Sequence, residues 1–199
     1  MGKRKRANMK AIISIAAATL AVGCMLTDHP GNRYTVYIDP AFGDSENENE
    51  IVNAFQEWKD KVEAVGFLSL SFDFNLGYLR CQDDGNCTHV ITIHPSTKHD
   101  IALRSDAEPG EIGVCHREWT DRIMDGANDW SDIYIASDIG DPDKWVQTIK
   151  HEIGHSLGLP HLGEGALMCA YLSCASHNEI TCADLQEYAN LRGESINCK

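Results

Sequence analysis

Between Tyr34 and Asp39 apolar and polar residues alternate, with enough β-branching for a strand. Ile51, Val52, Phe55, Trp58, Val62 and Val65 then recur at helical spacing, which predicts a helix over residues 48–65. Alternation returns at 68–74, and 89–94 reads as a further strand, with the turn-rich Asp83-Asp84-Gly85-Asn86 between them. Residues 111–119 and 132–136 complete a set of five strands. The last leads through Asp138-Ile139-Gly140-Asp141 into a helix over 142–157, with Asp141 as its N-cap and Pro142 at its first position, where no N–H is required. A final helix is expected over 181–192. No internal repeat, low-complexity tract or interdomain linker interrupts this order, so the 199 residues suit a targeting segment and one domain with a sizeable core.

The helix at 142–157 ends in the most chemically specific stretch of the chain, His151-Glu152-Ile153-Gly154-His155-Ser156-Leu157-Gly158-Leu159-Pro160-His161. Residues four apart lie on one helical face, so His151 and His155 can aim two imidazoles at one point. To bring His161 to the same point the chain must leave the helix abruptly, and Gly158 enters the left-handed region without steric cost. Pro160 discourages further helix. Three neutral imidazoles are a zinc ligand set that keeps a fourth position open, the arrangement of a catalytic site. Glu152 projects beside the ligands without needing to be one. A carboxylate there can take a proton from a zinc-activated water, whose pKa the metal lowers to roughly 7.

With Ala166-Leu167-Met168 seven residues further on and Ile180-Thr181-Cys182-Ala183-Asp184-Leu185-Gln186-Glu187-Tyr188 after that, the motif resembles the metzincin zinc peptidases, and among them the matrixins. The resemblance covers about the last third of the chain. It implies zinc on His151, His155 and His161, Glu152 as general base and Met168 in the Met-turn, an apolar floor under the metal. It also implies an α+β fold, with a twisted five-stranded mixed sheet, an active-site helix and a C-terminal helix. The 111–119 strand becomes the sheet edge above the cleft, where an extended peptide substrate can pair. Two positions depart from the family: Ala183 stands where the first of two aspartates is usual, leaving Asp184, and Cys169-Ala170-Tyr171 lacks the usual proline. Tyr171 is one residue too far from Met168 to match the metzincin tyrosine at the metal, so it is not assigned to zinc. His89, His94, His99, His116 and His177 show no structural-zinc spacing and read as ordinary surface or core histidines.

At the N-terminus Lys3, Arg4, Lys5, Arg6 and Lys10 precede an apolar run from Ala11 to Val22, the layout of a secretory signal over residues 1–23. The run is too short for a comfortable membrane span. Ala21-Val22-Gly23-Cys24 resembles a bacterial lipobox and makes Cys24 the candidate lipidation site, with plain cleavage and secretion as the alternative. Residues 24–33 form a short leader and 34–199 the catalytic domain. That leader has no room for an inhibitory prodomain. Eight cysteines suit an oxidising compartment, and Cys81 with Cys87 is the one pair that spacing supports.

The formal net charge of −13 becomes −18 once residues 1–23, with five basic and no acidic side chains, are removed. Such a surface repels nucleic acid and attracts basic peptides or calcium. Asp138, Asp141 and Asp143 are the candidate Ca2+ ligands, against the commoner reading of a solvated acidic surface.

The expectation is therefore an exported, lipid-anchored, monomeric zinc endopeptidase of the bacterial cell envelope. A non-catalytic, zinc-stabilised exported binding module is the competing class, and a metzincin of another branch, such as the pappalysin-like one, the competing enzyme. Glu152 separates the first pair, because a zinc scaffold has no need of a carboxylate beside its ligands.

Overall fold

The computed structural model describes residues 33–43, 45–66, 70–77, 89–104, 111–118, 130–170, 174–175 and 178–198. The signal, Cys24, the Cys81–Cys87 pair, Tyr171 and His177 lie outside the described residues. Among the described residues there are five strands: β1 (Arg33–Ile38), β2 (Ser71–Leu76), β3 (Val90–Ser96), β4 (Gly113–Glu118) and β5 (Trp130–Ala136). The helices are α1 (Ser45–Ala64), α2 (Lys98–Ala102), α3 (Pro142–Ser156) and α4 (Cys182–Asn190).

Two elements had no sequence signal. A 3-10 turn, Pro40–Phe42, follows β1, with the Asp39 carboxylate accepting the Ala41 N–H and Gly43 closing it at φ +79°. The five residues of α2 start at Thr97, whose hydroxyl accepts the Asp100 N–H. Both are single turns set by local capping, too short to show a period. β2 also sits later than the alternation suggested, because its pairing with β1 runs from Arg33↔Ser71 to Ile38↔Leu76.

The sheet order is β2-β1-β3-β5-β4. The first four strands in that order are parallel, and β4 runs antiparallel on the edge beside β5. This is the expected mixed α+β sheet. Tyr34, Val36 and Ile38 of β1, Ile91 and Ile93 of β3, and Ile133 and Ile135 of β5 form one buried face. Ile51, Phe55, Trp58 and Val62 of α1 and Ile149, Ile153 and Leu157 of α3 share that core. Period two in the strands thus meets period 3.6 in the helices, as amphipathic layers require.

Polar bonds fix α3 within this layer. The buried Trp58 donates its indole N–H to the Lys150 carbonyl at 2.9 Å, and Lys150 extends its ammonium 2.6 Å from Glu57 and 2.9 Å from the Asn178 carbonyl. The helix therefore cannot rotate about its axis without breaking a partly buried ion pair and the buried Trp58 hydrogen bond. At its start Asp141 accepts the Lys144 N–H and Pro142 occupies the first turn, as anticipated.

On the opposite face His94 lies between two carboxylates, 3.2 Å from Asp39 and 3.5 Å from Asp132, and stacks on Tyr134. Burial disfavours its charge, but hydrogen bonds and attraction to Asp132 and Asp39 outweigh it and raise the pKa. A folded value above the unfolded one, about 6.5, gives stability that is fully present below that pH and lost as pH rises through the folded value. Replacing His94 with Gln is thus expected to lower the melting temperature more at about pH 5.5 than at about pH 8.5. Thermal melts showing equal loss at the two pH values would contradict this assignment.

Candidate active site

His151, Glu152 and His155 lie in the last two turns of α3, and Gly158 ends it. Gly158 adopts φ +102°, its N–H reaches the His155 carbonyl at 2.9 Å, and the Leu159 N–H reaches the Gly154 carbonyl at 3.0 Å. This is a Schellman closure, the expected use of glycine at that position. A β-carbon there would also come within 2.8 Å of the Arg117 guanidinium. The turn returns the chain to the helix end, and His161 joins His151 and His155 with ligand atoms all within 4.8 Å of one another. Ring centroids are 4.7, 5.3 and 4.7 Å apart.

Backbone carbonyls fix how two of these rings face. His151 Nδ1 is 2.9 Å from the Leu167 carbonyl, and His155 Nδ1 is 2.8 Å from the Leu159 carbonyl. A carbonyl only accepts, so each Nδ1 carries the proton and each Nε2 keeps its lone pair for a metal. Burial lowers the His151 pKa. Burial, then the repulsion that a protonated His151 would exert, takes His155 down to about 3, so both rings are neutral at physiological pH. The donor set fits a borderline-soft divalent ion such as zinc.

Glu152 is buried within this site, and the Cys115 backbone N–H hydrogen-bonds to its carboxylate. Burial, then the charge of Glu111, raises its pKa to about 8, against the lowering effect of the Cys115 bond. Such a carboxyl holds its proton until a positive charge is placed beside it. The edge strand reaches Glu152 because position 113 is glycine: a β-carbon there would come within 3.0 Å of the Glu152 side chain. Glu111, Cys115 and Arg117 join Glu152, His155 and His161 around an open cleft of about 360 Å3.

Met168 is fully buried beneath α3. A β-carbon on Gly154 would collide with its sulfur and press on Trp58, so glycine inside the motif is what lets the methionine pack against the helix. The Met168 turn is held from three sides. Leu167 receives the His151 bond, the Met168 carbonyl accepts the Leu162 N–H at 2.7 Å, and Asp184 accepts the Leu167 and Met168 N–H groups at 3.1 and 3.0 Å. The same carboxylate accepts the N–H and hydroxyl of Thr181 at 2.8 and 2.7 Å. Asp184 is a fully buried carboxylate with four donors, joining the start of α4 to the floor of the site. Sequence reading singled it out only as what remained of a family pair, and missed Gly113, Gly154 and Arg117.

Other candidates lie elsewhere. Asp138 accepts the Lys98 N–H and Asp141 caps α3, so these two serve the backbone, and among the described residues only the three histidines form a convergent metal-ligating group. His94 lies in the carboxylate pair on the far face and His116 against Trp130. Two disulfides that spacing left open are present: Cys169–Cys174, directly after Met168, and Cys182–Cys198, from the first turn of α4 to the C-terminal segment.

Comparison with known proteins agrees with the resemblance in the motif. The Peptidase_M10 family profile, described as Matrixin, matches residues 33–193. The chain belongs to the matrixin family of metalloprotease domains. No curated protein matches it. Among solved structures it is similar to metalloproteinase-II from Bacteroides fragilis, with 11% identity and a TM-score of 0.49, over 82% of this chain and 53% of that one. The chain therefore spans about half the length of that protein.

Proposed function

We propose that this chain is an exported zinc endopeptidase that cleaves peptide bonds with Glu152 as general base. The observation that supports this best is the convergence of His151, His155 and His161, two of them fixed as neutral Nε2 donors, beside a buried carboxylate. When bound, zinc supplies Lewis acidity, which polarises the scissile carbonyl and lowers the pKa of the attacking water.

The chain's own groups supply the rest. His151, His155 and His161 would hold the ion, and backbone carbonyls keep the first two rings oriented. Glu152 would accept the water proton at its carboxylate and pass it to the departing amine nitrogen. Cys115 keeps the carboxylate aimed, and β4 offers an edge for an extended peptide. A zinc-stabilised binding module would leave a buried carboxyl beside its ligands without use. Glu152→Ala is expected to retain zinc and the fold while losing at least a hundredfold in peptide hydrolysis. Metal analysis, melting and peptide cleavage check this together, and undiminished hydrolysis would contradict the mechanism.

Export and a lipid anchor on Cys24 belong to the same proposal. They rest on the basic and apolar pattern of residues 1–23, the lipobox-like Ala21-Val22-Gly23-Cys24, and two disulfides suited to an oxidising compartment. Intact-mass measurement of the mature protein is expected to find Cys24 at the N-terminus carrying acyl chains. An unmodified Cys24 would decide for simple secretion.

A further inference from the structure

Edge strand β4 presents one row of positions to α3. Gly113 faces Thr148 and Glu152, Arg117 approaches Gly158 and the His155 carbonyl, and Cys115 lines the cleft between them. The row contains charges of opposite sign at its two ends. Arg117 approaches the end of α3, where its Nη1 donates to the His155 carbonyl at 3.4 Å and its guanidinium lies against the Gly158 turn. Glu111, two residues before the strand, lines the same cleft as Glu152, His155 and His161, and its charge acts on Glu152.

We propose, resting on the peptidase reading above, that Glu111 is a specificity-determining residue selecting substrates with a Lys or Arg side chain two to four residues from the scissile bond. The distance follows from strand geometry. Gly113 and Cys115, two and four residues beyond Glu111, are the points at which β4 touches Glu152. A peptide paired along β4 advances at the same rate of about 3.4 Å per residue. With its scissile bond level with Glu152, it places a side chain two to four positions away opposite Glu111. A cationic side chain there meets a partly buried carboxylate, whereas an acidic one meets like charge in a cleft that already holds Glu152. The net charge of −18 left without residues 1–23 acts in the same direction during encounter.

The test is a walk of a single Lys, and separately a single Glu, through positions on both sides of the scissile bond of an otherwise neutral peptide. Binding is measured by fluorescence anisotropy on the zinc-loaded Glu152→Gln chain, and cleavage on the wild type. Glu152→Gln removes the other carboxylate lining this cleft, so the part of the remaining charge preference that Glu111→Gln abolishes belongs to Glu111. Lys is expected to bind about fivefold more tightly than Glu at one position in the two-to-four window, a size typical of a partly exposed ion pair. That ratio should vanish when Glu111→Gln is added and invert with Glu111→Lys. Equal binding of the two series, or a ratio that survives Glu111→Gln, overturns the assignment. A charge preference intact in binding while the wild type cleaves none of the peptides supports the assignment and counts against the peptidase reading alone.

Discussion

The termination of α3 at Gly158 is the constraint on which the site depends. Two imidazoles on one helical face can share a metal, but the third must arrive from beyond the helix, six residues after His155. The two Schellman hydrogen bonds and a φ of +102° turn the chain over within one residue, and the Leu159 carbonyl in that turn also fixes the His155 ring. Helix stop, chain reversal and ligand tautomer are therefore one local structure. A side chain at 158 would disturb all three, through an unfavourable backbone conformation and by displacing Arg117.

A second level of organisation holds other elements close against α3, and it depends on absent side chains. Gly113 brings the edge strand onto Glu152, and Gly154 brings Met168 under the helix between the two ligand turns. Asp184 then ties the Met168 turn to α4, while Lys150, Glu57 and Trp58 tie α3 to α1. The carboxylate that does the proposed chemistry, the sheet edge that would hold a substrate and the floor of the site are thus positioned by close packing and a few buried polar bonds. Each is sensitive to a single methyl group.

Much of the fold was legible because its signals are periodic. The alternation at Tyr34–Asp39 and the spacing from Ile51 to Val62 correspond to β1 and α1, and Asp141-Pro142 marks the start of α3. Short capped turns such as Pro40–Phe42 and α2 have no period to detect, and the register that moved β2 is a property of the sheet and not of its sequence alone. In the site, His151, His155, His161 and Glu152 were visible through fixed local spacing. Gly113, Arg117 and the bonds from Leu167 and Met168 to Asp184 were not, because each acts across a distance in sequence of 16 to 41 residues that only the tertiary structure closes. The pairings Cys169–Cys174 and Cys182–Cys198 were hidden for a different reason: cysteine spacing does not determine connectivity.

The central claim is that three imidazoles, and no thiolate, hold one metal ion beside Glu152. X-ray absorption at the zinc edge of the purified, zinc-loaded protein tests it directly. The account predicts three imidazole nitrogens at about 2.0–2.1 Å and one further light donor, with no sulfur at about 2.3 Å. A spectrum with sulfur in the coordination shell, or with fewer than three imidazoles, would contradict it.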